Sequence, residues 1–182
     1  MDGSEEKIVR TTVWLARLSC YGECEVKHYL GYISYVNRII LFWEDKIMKK
    51  KTDPLYYAGK KQPFARSVVV GNLVFLSGSS GRTMETGEVS SDNVKEQMIV
   101  ALDKIKGALE EVGSSMESIV KTVIYLKHME DYAIMRQTED EYYRKYAPRL
   151  LDERPASTVM QVVSLAKPNM LIEIDAIAII SE

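Results

Sequence analysis

The stretch that decides the fold is Val68-Val69-Val70-Gly71-Asn72-Leu73-Val74-Phe75-Leu76-Ser77-Gly78. A β-branched run over 64–70, a Gly-Asn pair and an apolar return run form the signature of a tight β-hairpin. Gly78-Ser79-Ser80-Gly81 breaks the return strand, and Glu85-Thr86-Gly87-Glu88 supplies a further turn. Downstream, Val94, Met98, Leu102, Ile105, Leu109 and Val112 recur at helical steps and make one apolar stripe. Ser91 or Asp92 is the expected cap of that helix, with Glu96 early in it and Gly113 ending it. Residues 119–126 read as a strand. A second helix is expected over 129–146, stopped before Pro148, with Tyr132, Met135, Tyr142, Tyr143 and Tyr146 on its apolar side. Strands over 157–164 and 170–180 close the pattern, joined through Lys167-Pro168-Asn169. In the last strand Glu173 and Asp175 alternate among Ile172, Ile174, Ala176 and Ile177. The order ββαβαββ predicts an α+β domain, a mixed sheet with two helices on one face. The other face is rich in apolar residues, so oligomerisation through it is expected.

Upstream, the chain changes character. Both cysteines (Cys20, Cys24) and both tryptophans (Trp14, Trp43) precede Met48. Residues 1–47 therefore read as an atypical extension, 48–62 as a lead-in segment and 63–182 as the domain. Trp43-Glu44-Asp45, encoded as TGG-GAR-GAY, can spell a bacterial ribosome-binding site just before the Met48 codon. Met48-Lys49-Lys50-Lys51 is also a plausible start. The extension is thus expected to be translated upstream sequence, which the intact mass of the protein from its host would check. Cys20, Cys24 and His28 fall on one helical face, but three ligands are one short of a closed zinc site, and no metal is expected.

Composition removes several function classes. The 24 Lys and Arg against 26 Asp and Glu leave a net charge of −2, without the basic footprint of a general nucleic-acid binder. No apolar run is long enough for a transmembrane helix, and no signal peptide is evident. Two cysteines do not make a disulfide framework, so a cytoplasmic location is the expectation.

Residues 63–180 resemble the RidA (YjgF) family of reactive intermediate/imine deaminases. The resemblance is carried by Pro63-Phe64-Ala65-Arg66-Ser67-Val68, Val70 through Gly78, Thr86-Gly87-Glu88-Val89, Gln97, Val120-Lys121-Thr122, Pro155-Ala156-Ser157-Thr158 and Ile172 through Ala178. It implies a chorismate-mutase-like fold, a homotrimer built around a central barrel, and ligand clefts between subunits. It also implies hydrolysis of enamines and imines such as 2-aminoacrylate to 2-keto acids and ammonia, without a cofactor.

Such hydrolysis requires a cation for the substrate carboxylate, an oriented water, and protonation of the departing nitrogen. By the resemblance, Glu173 is the catalytic residue that positions the water, and Ser77 and Gly78 form the pocket wall. The departures are equally specific. Ser157 stands where active members carry the arginine that clamps the carboxylate, a loss on the order of 1.5–3 kcal/mol for a charge-assisted hydrogen bond. Phe64 replaces a pocket tyrosine, Arg136 a pocket asparagine and Val159 a frequent pocket cysteine. Arg66, Arg136 and Arg154 are the candidates to substitute for the clamp. The sequence leaves two readings: a divergent imine deaminase or related small-metabolite hydrolase, and a non-catalytic trimer that binds small ligands or proteins. RNA cleavage is disfavoured, because His128 is the domain's single histidine and no basic patch with interleaved aromatics accompanies it. Chorismate mutase activity rests on fold likeness alone.

Overall fold

The structure, a computed structural model, describes residues 50–180. The extension and its Cys20-Cys24-His28 set lie outside the described residues. Six strands form one sheet: β1 (Lys50–Tyr57), β2 (Lys60–Val70), β3 (Leu73–Ser80), β4 (Ile119–Leu126), β5 (Ala156–Gln161) and β6 (Ile172–Ile179). Two helices, α1 (Val94–Glu111) and α2 (Tyr132–Tyr146), complete the α+β layer pair. Across the sheet the order is β1-β2-β3-β6-β4-β5. Only β4 and β5 are parallel, as the crossover through α2 requires.

The β2–β3 hairpin turns at Gly71, whose φ of 61° suits glycine at the first central position of a tight turn. In α1, Val94, Met98, Leu102, Ile105 and Leu109 are buried as the stripe predicts. They meet Val74 and Leu76 of β3 and the buried alternation Ile172, Ile174, Ala176 and Ala178 of β6. Gln97 is also fully buried. Its Nε2 donates to the carbonyls of Ser91 (2.6 Å) and Asn169 (2.9 Å), and its Oε1 accepts from the Leu171 amide (2.8 Å). One side chain thus ties the loop before α1 to the loop before β6, with every amide group engaged. On β3, Leu73 and Phe75 alternate with the buried residues and stand exposed, in keeping with an apolar uncovered face.

Four details differ from the sequence reading. The lead-in segment 48–62 contains a sixth strand, β1, and β2 begins at Lys60 instead of residue 64. Pro54 argues against a strand, but it sits on the edge strand at a register shift, where a missing amide costs no ladder bond. The helix cap is Asn93, whose Oδ1 accepts from the Lys95 and Glu96 amides at 2.9 and 3.3 Å, while Ser91 Oγ accepts from the Asn93 amide. The strand expected over 157–164 ends at Gln161. Finally, Tyr132 and Tyr146 are exposed, whereas Met135, Tyr142 and Tyr143 carry the packing of α2.

Candidate functional site

The β3–β6 ladder is regular from Leu73 to Leu76 and then shifts register before Ser79, so Ser77 and Gly78 lie in an irregularity of β3. Glu173 pairs with Ser80 just beyond it. The Glu173 carboxylate lies directly against Gly78: a Cβ there would stand 2.1 Å from Oε1 and 2.8 Å from Cδ. Only glycine permits this approach. Ser77 Oγ donates to the Ala65 carbonyl (2.7 Å), which fixes the bulged strand to β2.

Three further side chains complete the site. Tyr57, buried at the end of β1, accepts through its hydroxyl oxygen from Lys104 Nζ of α1 at 3.1 Å. Arg82, in the loop after β3, stacks its guanidinium over the Tyr57 ring at 4.1 Å. Its Nε donates to the Gly87 carbonyl at 2.8 Å. Gly87, at φ 72°, closes the turn that holds this arginine, and its amide donates to the Thr83 carbonyl. A small cavity of about 20 Å³ is lined by Tyr57, Ser77, Gly78, Ser79 and Lys104 among others. That is room for a single water. Beside it lies an open cleft of about 340 Å³, lined by Thr83, Glu85, Asp103 and Gly107. Arg66, Met84 and Lys104 line both.

The electrostatics are coupled. Burial raises the Glu173 carboxyl above the usual carboxylate range, and the Asp175 charge adds to this, while Lys104 and Arg82 pull it back. Burial, with the Arg82 charge adding to it and Glu173 opposing, lowers the Lys104 ammonium to about 8. The Tyr57 hydroxyl is raised, again chiefly by burial.

The other residues singled out from the sequence gather elsewhere or are engaged. Arg66 shares the cavity wall with Ser77 and Gly78, but its Nε pairs with Asp53 at 2.6 Å and its two terminal nitrogens with Glu111. Phe64 is about half exposed on β2. Arg136, Ser157 and Val159 collect at the β4–β5 end of the sheet. Arg136 pairs with the buried Glu139 at 2.7 Å and reaches Ser157 Oγ at 3.4 Å. Ser157 Oγ also accepts from Thr122, and Val159 packs on the core. Arg154 pairs with Asp140 at 2.6 Å. Sequence reasoning missed Tyr57, Arg82 and Lys104. One signal was available: Lys104 falls three residues after Ala101 and four before Ala108, both buried, so it interrupts the buried side of α1. No group of three or more His, Cys, Asp or Glu side chains among the described residues could hold a metal ion.

Fold and site together define a small α+β protein with a carboxylate set against a glycine bulge and electrostatically coupled to two cations. Residues 58–180 match the family described as Endoribonuclease L-PSP. The chain belongs to this family, the RidA or YjgF proteins. It is 35% identical over 116 residues to a RutC family protein of Pyrococcus abyssi, covering 64% of this chain and 85% of the relative. It is 32% identical over 117 residues to the 2-iminobutanoate/2-iminopropanoate deaminase of Escherichia coli, covering 64% and 87%. Among solved structures, the YjgF gene product of E. coli aligns with a TM-score of 0.60 at 30% identity, covering 68% of this chain and 92% of that one. A YjgF-family member from Neisseria meningitidis aligns with a TM-score of 0.60 at 26% identity, covering 75% and 98%.

Proposed function

We propose that this protein is a cofactor-independent hydrolase of small imines or enamines, of the 2-iminobutanoate/2-iminopropanoate deaminase type, acting in metabolite damage control in the cytoplasm. The observation that carries the reading is the Glu173 carboxylate held against Gly78 beside a cavity large enough for one water. The naming of the E. coli relative as such a deaminase supports it.

In this reading Glu173 orients the water and takes its proton as the oxygen attacks the imine carbon. Its raised proton affinity suits it to that task. Glu173 returns that proton to the nitrogen, giving a neutral carbinolamine; the hydroxyl proton then passes to the same nitrogen as the C–N bond breaks and the C=O bond forms, and the products are ammonia and a 2-keto acid. The uncovered apolar face, with Leu73 and Phe75 exposed, supports assembly as a homotrimer with ligand clefts between subunits. The net charge of −2 supports a small metabolite over RNA as substrate.

The test is keto-acid formation from 2-aminoacrylate generated in situ by a serine dehydratase. Acceleration over buffer by the wild type, lost in Glu173→Gln, is the expected result; no acceleration by the wild type rejects the reading. A second reading, a ligand-binding trimer without turnover, is favoured by one observation: Arg66, Arg136 and Arg154 are all held in ion pairs. Binding of keto acids without turnover of any imine would establish it.

A further inference from the structure

Resting on the imine-hydrolase reading, we infer that Arg82 and Lys104, presented across the ring and hydroxyl of Tyr57, hold the substrate's carboxylate, so that the anionic end of the substrate lies at the β1–α1 side of Glu173 and not at Ser157.

Among the described residues, neither Arg82 nor Lys104 has a carboxylate within ion-pair distance, whereas Arg66, Arg136 and Arg154 each do. Arg82 spends its Nε on the Gly87 carbonyl and its face on the Tyr57 ring, which leaves its terminal nitrogens as donors. Lys104 makes one side-chain hydrogen bond, to Tyr57. Two like charges are therefore held over one aromatic ring, half-buried, with Glu173 as the facing acid from β6. The other charged groups around Lys104 are Arg66 from β2, which is already paired, and Asp103 and Glu85, which line the outer cleft.

Two cations over one ring, with no carboxylate of the described residues in ion-pair contact, are costly unless a ligand supplies one. A carboxylate bridging them offers two oxygens to a guanidinium and an ammonium, the arrangement in which charged hydrogen bonds are strongest. The position suits the chemistry as well. Lys104 lines both the outer cleft and the water-sized cavity that Gly78 also lines, so a carboxylate held at Lys104 lies close to the glycine against which Glu173 rests. At the opposite site, Ser157 is occupied by Thr122 and Arg136.

The test is calorimetric titration of the full chain with 2-oxobutanoate and with its neutral amide. Arg82→Gln and Lys104→Met are each expected to weaken the acid by about ten-fold or more, the scale of one charge-assisted hydrogen bond. The amide is expected to bind all forms equally weakly. Wild-type affinity for the acid should fall between about pH 7 and about pH 9 as Lys104 loses its proton, and Lys104→Arg should hold its affinity across that range. Melting curves confirm that each variant is folded, and Lys104→Arg, which keeps the charge, serves if Lys104→Met does not fold. Unchanged affinity in both charge-removing variants, equal binding of acid and amide, or no binding by the wild type overturns the assignment. Turnover assays on the same proteins separate the two ideas. Charge-dependent binding without turnover sinks the hydrolase reading and leaves this site standing. Turnover with KM unchanged in both variants sinks this site alone.

Discussion

The two ends of the sheet treat their cations in opposite ways. At the β4–β5 end, Arg136 meets the buried Glu139 and completes its bonds on Tyr132 and Ser157. At the β1–β3 end, Arg82 and Lys104 share a tyrosine, and Glu173 faces them without closing an ion pair. The first arrangement is self-sufficient; in the second, neither cation has a carboxylate of the described residues within ion-pair distance. Side chains that complete one another stabilise a fold, whereas uncompensated ones are kept for a ligand and tax stability.

The strongest way to break this comparison is at Gly78. Gly78→Ala places a methyl where the Glu173 carboxylate lies and should cut deaminase turnover by about 100-fold, the penalty for displacing a catalytic group by an ångström or so. Steady-state kinetics with 2-aminoacrylate would show it as a loss in kcat, and Glu173→Gln should fall at least as far. Next come the two cations. Arg136→Met leaves Glu139 buried and unpaired and should destabilise the protein by about 2 kcal/mol in urea unfolding. Lys104→Met should do the reverse and raise the melting temperature at neutral pH by roughly 2–5 °C. The sign follows from linkage. Lys104 has a lower proton affinity folded than unfolded, so its charge penalises the native state below about 8. The advantage of the variant should therefore shrink as the pH rises from about 8 toward the ordinary lysine range. If both substitutions destabilise equally, the contrast between the two ends is wrong. The smallest effect is expected at Ser67, whose buried Oγ has no hydrogen-bond partner among the described residues. Ser67→Ala should stabilise by about 1 kcal/mol by removing an unsatisfied hydroxyl, and serves as the site-independent reference.

These contrasts also mark what could be read from the residues. The hairpin around Gly71 and the stripe from Val94 to Leu109 were legible because local turn chemistry and period agree with burial. Glu173 stood out as a carboxylate on an apolar strand, and the structure sets that carboxylate against Gly78. β1 was not legible, because Pro54 contradicts a strand unless its edge position and register shift are known, and those depend on pairing with β2. With β1 read as a lead-in, Tyr57 had no place in a site. Arg82 looked like an ordinary turn residue, since nothing local shows that its guanidinium stacks on a tyrosine 25 positions earlier. The three arginines proposed from sequence as substitute clamps each found a nearby acid, which only the fold brings close.

The place of β6 has a consequence for biosynthesis. It is sixth along the chain but fourth across the sheet, seated between β3 and β4. During translation Tyr57, Arg82 and Lys104 leave the ribosome well before Glu173. Until β6 inserts, β3 and β4 present open edges, and Leu73 and Phe75 lie beside one of them. A stalled or clipped chain would thus carry the cations without the carboxylate, and would be prone to aggregate. Insertion of one strand closes both edges and, in the same step, brings the carboxylate of Glu173 onto Gly78.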